Sequence, residues 1–167
     1  MEENNKIEIA IKRIKEFEPE EGYYLAFSGG KDSQTVYELA KESGVKFDAH
    51  FNLTTVDPPE LIYFIRDNYP DVIIEKPEIS MWELIIKAKC MPTRIARFCC
   101  RYLKEEGGEN RVILTGVRWA ESARRRKRRM VESCYRTGVN KTFLRPIIDW
   151  TNEEVWEFIN SRNLKYC

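Results

Sequence analysis

The sequence predicts an α/β fold, a three-layer sandwich in which helices cover both faces of a mostly parallel sheet. Between residues 23 and 89, three strand-like apolar runs alternate with three helical patterns, and this βαβαβα order is typical of parallel sheets. The chain has 167 residues, enough for a core of its own, so we expect a single domain over residues 1–167. Ligands of such sheets bind at the carboxyl ends of the strands.

The elements of the first half follow from hydrophobic periodicity. Predicted strands, where apolar residues form short runs or alternate with polar ones, cover residues 23–27, 47–53 and 72–74. Predicted helices, with apolar residues every three or four positions, cover residues 5–17, 32–41, the stretch between Pro58-Pro59 and Pro70, and 81–89. Gly44 is expected to end the second helix, and Ser80 is expected to cap the fourth.

The second half has weaker signals. Residues 101–106 are predicted to be helical and residues 112–115 to form the next strand. Residues 130–140 contain few apolar positions and are predicted to form a loop or a hairpin, followed by a short strand at 143–144. Thr151 with Glu154 three residues later predicts a capping box at the start of the last helix.

Composition narrows the class of protein. The chain is 43% hydrophobic and 33% charged, which is typical of a soluble globular protein. No apolar run is as long as a membrane span, and the charged N-terminus does not resemble a signal peptide, so no membrane partner is expected. Five cysteines without a secretory signal favour a reducing compartment, and we expect a cytoplasmic location.

A glycine-rich turn follows the first predicted strand and opens the second helix. It reads Ser28-Gly29-Gly30-Lys31-Asp32-Ser33. Glycines let backbone N–H groups approach an anion, and a helix N-terminus carries about half a positive charge. The turn is not a Walker A motif, because Leu25 occupies the first glycine position and Asp32 follows the lysine. We interpret the turn as a phosphate cradle rather than an ordinary corner; its predicted binding residues are Ser28, Gly29, Gly30, Lys31 and Ser33, and its catalytic candidates are Lys31 and Asp32.

Four separated strings carry a family resemblance. They read SGGKDS, PTRIARFCCRYLK, TGVRWAESARR and RPIIDWTNEEVWEFI. The first resembles the PP-loop of N-type ATP pyrophosphatases. Together the four resemble the phosphoadenosine phosphosulfate reductase family, which includes adenylylsulfate reductases and ATP-using relatives, over residues 23–167. The resemblance implies a Rossmann-like adenine nucleotide alpha hydrolase fold and an adenine nucleotide ligand: ATP, adenylyl sulfate or its 3′-phosphate.

The same resemblance implies a second anion-binding segment after the strand at 112–115. Its matching residues are Gly116, Arg118, Glu121, Ser122 and Arg125. Guanidinium groups suit this task because they pair with phosphate oxygens in a bidentate manner. Thr55 and Asp57 follow another strand at the same edge of the sheet and are further candidates for contacting the nucleotide. For Asp57, a turn stabilised by its own carboxylate is an equal alternative.

The pair Cys99-Cys100 is a metal candidate. Adjacent thiolates are awkward for one zinc ion, and in the iron–sulfur reductases of the resembling family such a pair joins a distant Cys-x-x-Cys to hold a [4Fe–4S] cluster. This chain contains no Cys-x-x-Cys, and its other cysteines, Cys90, Cys134 and Cys167, are isolated. The chain also stops where the resembling proteins continue into a cysteine-containing tail, so we expect a truncated chain or a short family member. Two free thiols are the alternative to cluster binding.

Three functions remain open at this point. The first is reduction of an adenylylated sulfate to sulfite, with an electron donor such as thioredoxin. The second is an ATP pyrophosphatase that uses Mg²⁺ and adenylates an acceptor, for example in sulfur modification of a nucleic acid. The third is a nucleotide-binding domain without catalysis.

The segment Arg124–Arg129 reads RRRKRR and has two interpretations. It is either a nucleic-acid contact or a mobile, solvated loop over the nucleotide site. The net charge of the chain is only +1, and no aromatic residues are interleaved with the run. Both observations favour the second interpretation.

Overall fold

The computed structural model describes residues 2–93, 95–104, 107–136 and 139–167. The strands within these ranges are β1 (Tyr23–Ala26), β2 (Phe47–Asn52), β3 (Ile73–Glu75), β4 (Val112–Leu114), β5 (Val131–Arg136) and β6 (Val139–Leu144). The α-helices are α1 (Glu2–Glu16), α2 (Lys31–Ser43), α3 (Pro59–Asn68), α4 (Met81–Ala88), α5 (Phe98–Leu103) and α6 (Asn152–Ser161). None of these helices combines the length and the apolar composition needed to cross a bilayer.

The strands form one sheet in the order β3-β2-β1-β4-β6-β5. All neighbouring pairs are parallel except β5 and β6, which are antiparallel. The predicted mostly parallel sheet is therefore confirmed. From β1 the chain proceeds to β2 on one side of the sheet and later to β4 on the other side. The loops that follow β1 and β4 thus border the crevice at which open α/β sheets bind their ligands.

Helices flank the sheet on both faces, as the sequence predicts. On one face α1, α2, α3 and α6 cover a core that includes Leu25, Leu114 and Leu144, all fully buried. On the other face Asn52 of β2 donates from Nδ2 to the carbonyl oxygen that ends α5, at Lys104 (3.2 Å). This second face also carries a polar network.

His50 belongs to that polar network. Its ring stacks on Tyr24 with 4.2 Å between the centroids, and Nδ1 lies 2.9 Å from a carboxylate oxygen of Glu75. Nε2 contacts the carboxylate of Asp48, which also accepts from Arg111. His50 is thus a packed, hydrogen-bonded residue.

The predicted helix caps at Gly44, Ser80 and Thr151 are confirmed. The hydroxyls of Ser80 and Thr151 each accept from the backbone N–H three residues later at 3.2 Å, completing two capping boxes. Gly44 ends α2 in the left-handed conformation with φ 73°.

The second half of the chain departs from the prediction in two places. The loop alternative for residues 130–140 is wrong, because β5 and β6 pair as a hairpin, and the predicted short strand at 143–144 is the end of β6. The hydrophobic pattern of β5 does not predict a strand clearly, because β5 is an edge strand in which polar residues follow Val131. The helix predicted over 101–106 instead covers Phe98–Leu103, and residues 105 and 106 lie outside the described residues.

Candidate functional site

The glycine-rich loop joins β1 to α2 at the carboxyl edge of the sheet. Gly29 has φ 74°, and a Cβ atom there would lie 2.6 Å from Cδ1 of Leu61, so a larger residue does not fit. The backbone N–H of Ser28 donates to Oγ of Ser33 (3.2 Å), and that hydroxyl donates to the carbonyl oxygen of Gly30 (2.9 Å). The hydroxyl of Ser33 therefore links both ends of the glycine-rich turn.

A buried pair of side chains supports the loop from below. Gln34 is fully buried and donates from Nε2 to the carbonyl oxygen of Gly29 at 2.8 Å. The hydroxyl of Tyr69 donates to Oε1 of the same glutamine at 3.0 Å. Burial raises the pKa of Tyr69 to about 12, so its hydroxyl keeps its proton at neutral pH. Sequence reasoning did not single out Gln34 or Tyr69, because the support is a tertiary contact between α2 and the end of α3.

The N-terminus of α2 faces the crevice without a cap. Gly30 is the N-cap residue, and because glycine has no side chain it cannot accept a hydrogen bond from the first N–H groups of the helix. The first N–H groups of a helix lack partners within the helix, and they carry about half a positive charge. A helix start of this kind, behind a glycine-rich turn, is suited to bind an oxyanion.

Lys31 and Asp32 open the first turn of α2. Nζ of Lys31 lies 3.1 Å from both carboxylate oxygens of Asp32. Oδ1 of Asp32 also accepts from Nε of Arg118 at 2.9 Å. Asp32 is thus placed between two cations, and the three groups carry a net charge of about +1 at neutral pH.

Arg118 is fully buried beneath this turn. Its Nη1 donates to the carbonyl oxygen of Trp150 (3.1 Å), and its Nη2 donates to Oδ1 of Asn152 (2.8 Å). All three guanidinium nitrogens therefore bind protein groups. The structure places Arg118 as a positioning residue under the loop, and its predicted direct contact with a nucleotide stays a prediction.

Gly116 lets the end of β4 approach α2. A Cβ atom there would lie 2.7 Å from the backbone carbonyl of Asp32. Next to it, Oγ1 of Thr115 is buried and has no hydrogen-bond partner among the described residues. A buried hydroxyl without a partner is costly, so Thr115 is a further candidate for a ligand contact. The sequence reading ended the strand at this residue and did not consider its hydroxyl.

The remaining residues of the second predicted anion segment form an exposed turn. Glu121 accepts from the backbone N–H of Arg118 at 2.7 Å and pairs with the guanidinium of Arg125. Oγ of Ser122 accepts from the backbone N–H of Arg125 at 3.2 Å. Arg125 is tied to this turn but stays accessible to solvent.

Thr55 and Asp57 brace the loop after β2. Oδ2 of Asp57 accepts from the backbone N–H of Thr54 at 2.6 Å, the geometry of the turn alternative. Oγ1 of Thr55 accepts from the N–H of Met81 at 2.9 Å, and its φ is +64°. Both lie at the carboxyl edge, and their contact with a nucleotide stays a prediction.

Cys99 and Cys100 lie on α5 as free thiols. Burial and the neighbouring Cys100 raise the pKa of the Cys99 thiol, which disfavours the thiolate that metals require. Within the described part of the chain, no three Cys, His, Asp or Glu side chains gather where they could hold a metal ion. The side chains described do not fit a four-cysteine [4Fe–4S] cluster.

The sequence matches a known protein family and a curated protein. Residues 22–167 match the family model described as the phosphoadenosine phosphosulfate reductase domain. An adenosine 5′-phosphosulfate reductase from Halalkalibacterium halodurans is 28% identical over 130 residues, which cover 71% of this chain and 52% of that protein. The chain thus spans about half the length of this curated relative.

Solved structures show the same fold. A phosphoadenylyl-sulfate reductase from Candida auris, in a phosphate complex, matches with a TM-score of 0.67 and 17% identity, over 96% of this chain and 81% of that chain. An FMN adenylyltransferase from Candida glabrata, in complex with FAD and inorganic pyrophosphate, also matches with a TM-score of 0.67, at 13% identity, over 99% and 58%. The predicted adenine nucleotide alpha hydrolase-like fold is confirmed.

Proposed function

Because this chain belongs to the phosphoadenosine phosphosulfate reductase domain family, we propose that it binds an adenylylated sulfate and takes part in its reduction to sulfite. The substrate is adenylyl sulfate or its 3′-phosphorylated form. The observation that carries this proposal is the uncapped N-terminus of α2, which faces the crevice between β1 and β4 with Lys31 beside it. The reductase relative at 28% identity supports the same substrate class.

The residues of the loop act on the anionic end of the nucleotide. Backbone N–H groups from Gly29 to Ser33 bind phosphate or sulfate oxygens, and Lys31 adds a positive charge. When the bond between sulfur and the bridging oxygen breaks, negative charge grows on the departing phosphate. Fixed donors aimed at that charge lower the barrier. Asp32 holds the lysine in place, and Arg118 holds the aspartate.

The electrons that reduce the sulfate come from a separate donor molecule. Reduction of the sulfate sulfur to sulfite takes two electrons, which a dithiol donor such as thioredoxin supplies by becoming a disulfide. The adenine nucleotide leaves as its monophosphate or bisphosphate. We assign no cysteine of this chain as the nucleophile, because none lies in the loops that follow β1 and β4.

A second candidate is cleavage of ATP between its α and β phosphates with Mg²⁺, followed by transfer of the adenylyl group to an acceptor. The same donors would then stabilise the departing pyrophosphate. The observation that favours this candidate is the run of exposed basic residues at 124–129, in the same segment as Arg118, because it suits a polyanionic acceptor. Nucleotide binding without turnover is the third outcome.

Product analysis separates these candidates. The protein is incubated with adenylyl sulfate plus a dithiol, or with ATP plus Mg²⁺, and released sulfite and pyrophosphate are measured. Sulfite supports the main proposal, pyrophosphate alone selects the second candidate, and binding without either product selects the third. Lys31→Ala should bind each nucleotide about 10- to 100-fold more weakly, the loss of one charge-assisted hydrogen bond. Lys41→Ala, which removes an exposed lysine from the same helix, is the matched control and should bind normally.

A further inference from the structure

Residues Arg124–Arg129, which we call the basic ridge, concentrate positive charge in the segment that follows Arg118. The whole chain has a net charge of +1, whereas these six consecutive residues are all basic and all exposed. Two of them have carboxylate partners, Arg125 with Glu121 and Arg128 with Glu132. Among the described residues, no carboxylate pairs with the other four, which are Arg124, Arg126, Lys127 and Arg129.

Hydrogen bonds from both sides hold the backbone of the ridge. Nε1 of Trp119 donates to the carbonyl oxygen of Arg128 at 2.8 Å. Nη1 of Arg145, a residue only 4% exposed, donates to the carbonyl oxygen of Arg129 at 2.7 Å. The last two residues of the ridge are therefore anchored to the fold, while all six side chains are exposed to solvent as the sequence predicts. Holding like charges together is unfavourable unless an anion joins them, so an anchored ridge of unpaired cations indicates a binding surface.

The amount of charge indicates a polyanion. The nucleotide already has the N-terminus of α2 and Lys31, and a single additional phosphate group carries at most about two negative charges. Four unpaired cations on the ridge exceed that charge. Three of them are arginines, whose planar forks match phosphate oxygens. A chain of phosphates satisfies the ridge better than one mononucleotide does.

We propose that the basic ridge binds the phosphate backbone of a nucleic acid strand. The indole of Trp119, 39% exposed and fixed beside the ridge by its bond to Arg128, offers an aromatic surface on which a base stacks. This combination of arginines and an exposed aromatic ring favours a nucleic acid over an acidic peptide. The sequence showed no aromatic residue within the run, and the fold brings Trp119 to it. The inference does not depend on which nucleotide the crevice binds.

Fluorescence anisotropy measures the affinity of the protein for labelled RNA and DNA, single-stranded and double-stranded, about 20 nucleotides long. The titrations are repeated between about 50 and 200 mM salt. The ridge variant is Arg126→Ala with Lys127→Ala. The matched control is Lys12→Ala with Lys15→Ala, which removes two exposed lysines from α1. The ridge variant should bind at least about tenfold more weakly, and its slope of log affinity against log salt should fall by about 1.5. The control should keep the wild-type affinity and slope.

Three results would overturn the proposal: no nucleic acid bound at low salt, equal losses in both double variants, or competition by a glutamate polymer as strong as that by unlabelled nucleic acid. The third result would identify a surface for acidic proteins. Thermal melting of each variant verifies that it is folded. If the first ridge variant does not fold, Arg124→Ala with Arg129→Ala makes the same test.

Discussion

Nε of Arg118 lies 2.9 Å from Oδ1 of Asp32, so a buried guanidinium from the segment after β4 holds the first turn of the helix that follows β1. The contact crosses the crevice between the two strands at which the order of the sheet reverses. It couples the two segments that the sequence marks as anion-binding. Lys31 receives its orientation from the same carboxylate.

Replacing Arg118 should destabilise the protein strongly. In Arg118→Ala the carboxylate of Asp32, the carbonyl of Trp150 and the amide of Asn152 all lose a donor, and breaking such a buried pair costs about 3 kcal/mol. Urea unfolding measures the loss. Arg125→Ala, which breaks an exposed ion pair, should cost less than about 1 kcal/mol. Similar losses in the two variants would contradict the positioning role of Arg118.

Gly116 should not tolerate a side chain. The Cβ atom in Gly116→Ala would lie 2.7 Å from the backbone of Asp32, so β4 or α2 must shift, at a cost of about 1–3 kcal/mol. The shift would also weaken nucleotide binding. At Gly30 the nearest atom to an added Cβ is 3.6 Å away, so Gly30→Ala should stay within about 1 kcal/mol of the wild type. Equal stability of both variants in urea would show that the contact is not tight.

Asp57 offers a test between two interpretations of one residue. If its carboxylate only braces the loop, Asp57→Asn keeps an acceptor for the N–H of Thr54 and leaves nucleotide affinity unchanged. Asp57→Ala should then lower the melting temperature by a few degrees, the effect of about 1 kcal/mol. A large change of affinity in Asp57→Asn, measured by calorimetric titration, would instead identify a direct contact with the nucleotide.

Acid should weaken the contact between α1 and the segment before α6. Burial raises the pKa of Asp149, but the bidentate bonds from Arg13 (2.7 and 3.2 Å) outweigh it, and the pKa is lowered overall. A carboxyl with a lowered folded-state pKa stabilises the protein above its unfolded pKa of about 3.9, and this stabilisation is lost as the pH falls through the folded value.

Unfolding free energies of the wild type and Asp149→Asn, measured from neutral to acidic pH, test this linkage. The difference between them should be largest near neutrality and shrink below about pH 4. A difference that stays constant down to the acid limit would show that the ion pair is not responsible.

Much of the fold was predictable because its signals are local. The alternation of strands and helices, the two capping boxes at Ser80 and Thr151 and the left-handed Gly44 all depend on residues within a few positions of one another. For residues 130–140 the sequence leaves a loop and a hairpin as alternatives, since the pairing that stabilises β5 comes from β6 and not from its own pattern.

The placement of the two candidate segments at one edge of the sheet was predictable, whereas their side-chain contacts were not. The predicted alternation of strands and helices places the glycine-rich loop and the segment after β4 at the same edge of the sheet. It does not show that the donors of Arg118 bind Asp32 and the carbonyl of Trp150 within the protein. The link between Trp119 and Arg128 was also hidden, because it forms only when the segment folds back on itself.

The most direct test of the nucleotide site is an NMR titration of the backbone amides with adenylyl sulfate. Our account predicts that the largest shifts occur at the N–H groups of Gly29 to Ser33 and that they saturate with the nucleotide. It also predicts that Lys31→Ala needs more nucleotide to reach the same shifts, whereas Lys41→Ala titrates like the wild type. Saturating shifts that cluster elsewhere, with the amides of Gly29 to Ser33 unmoved, would contradict the assignment of this loop as the site.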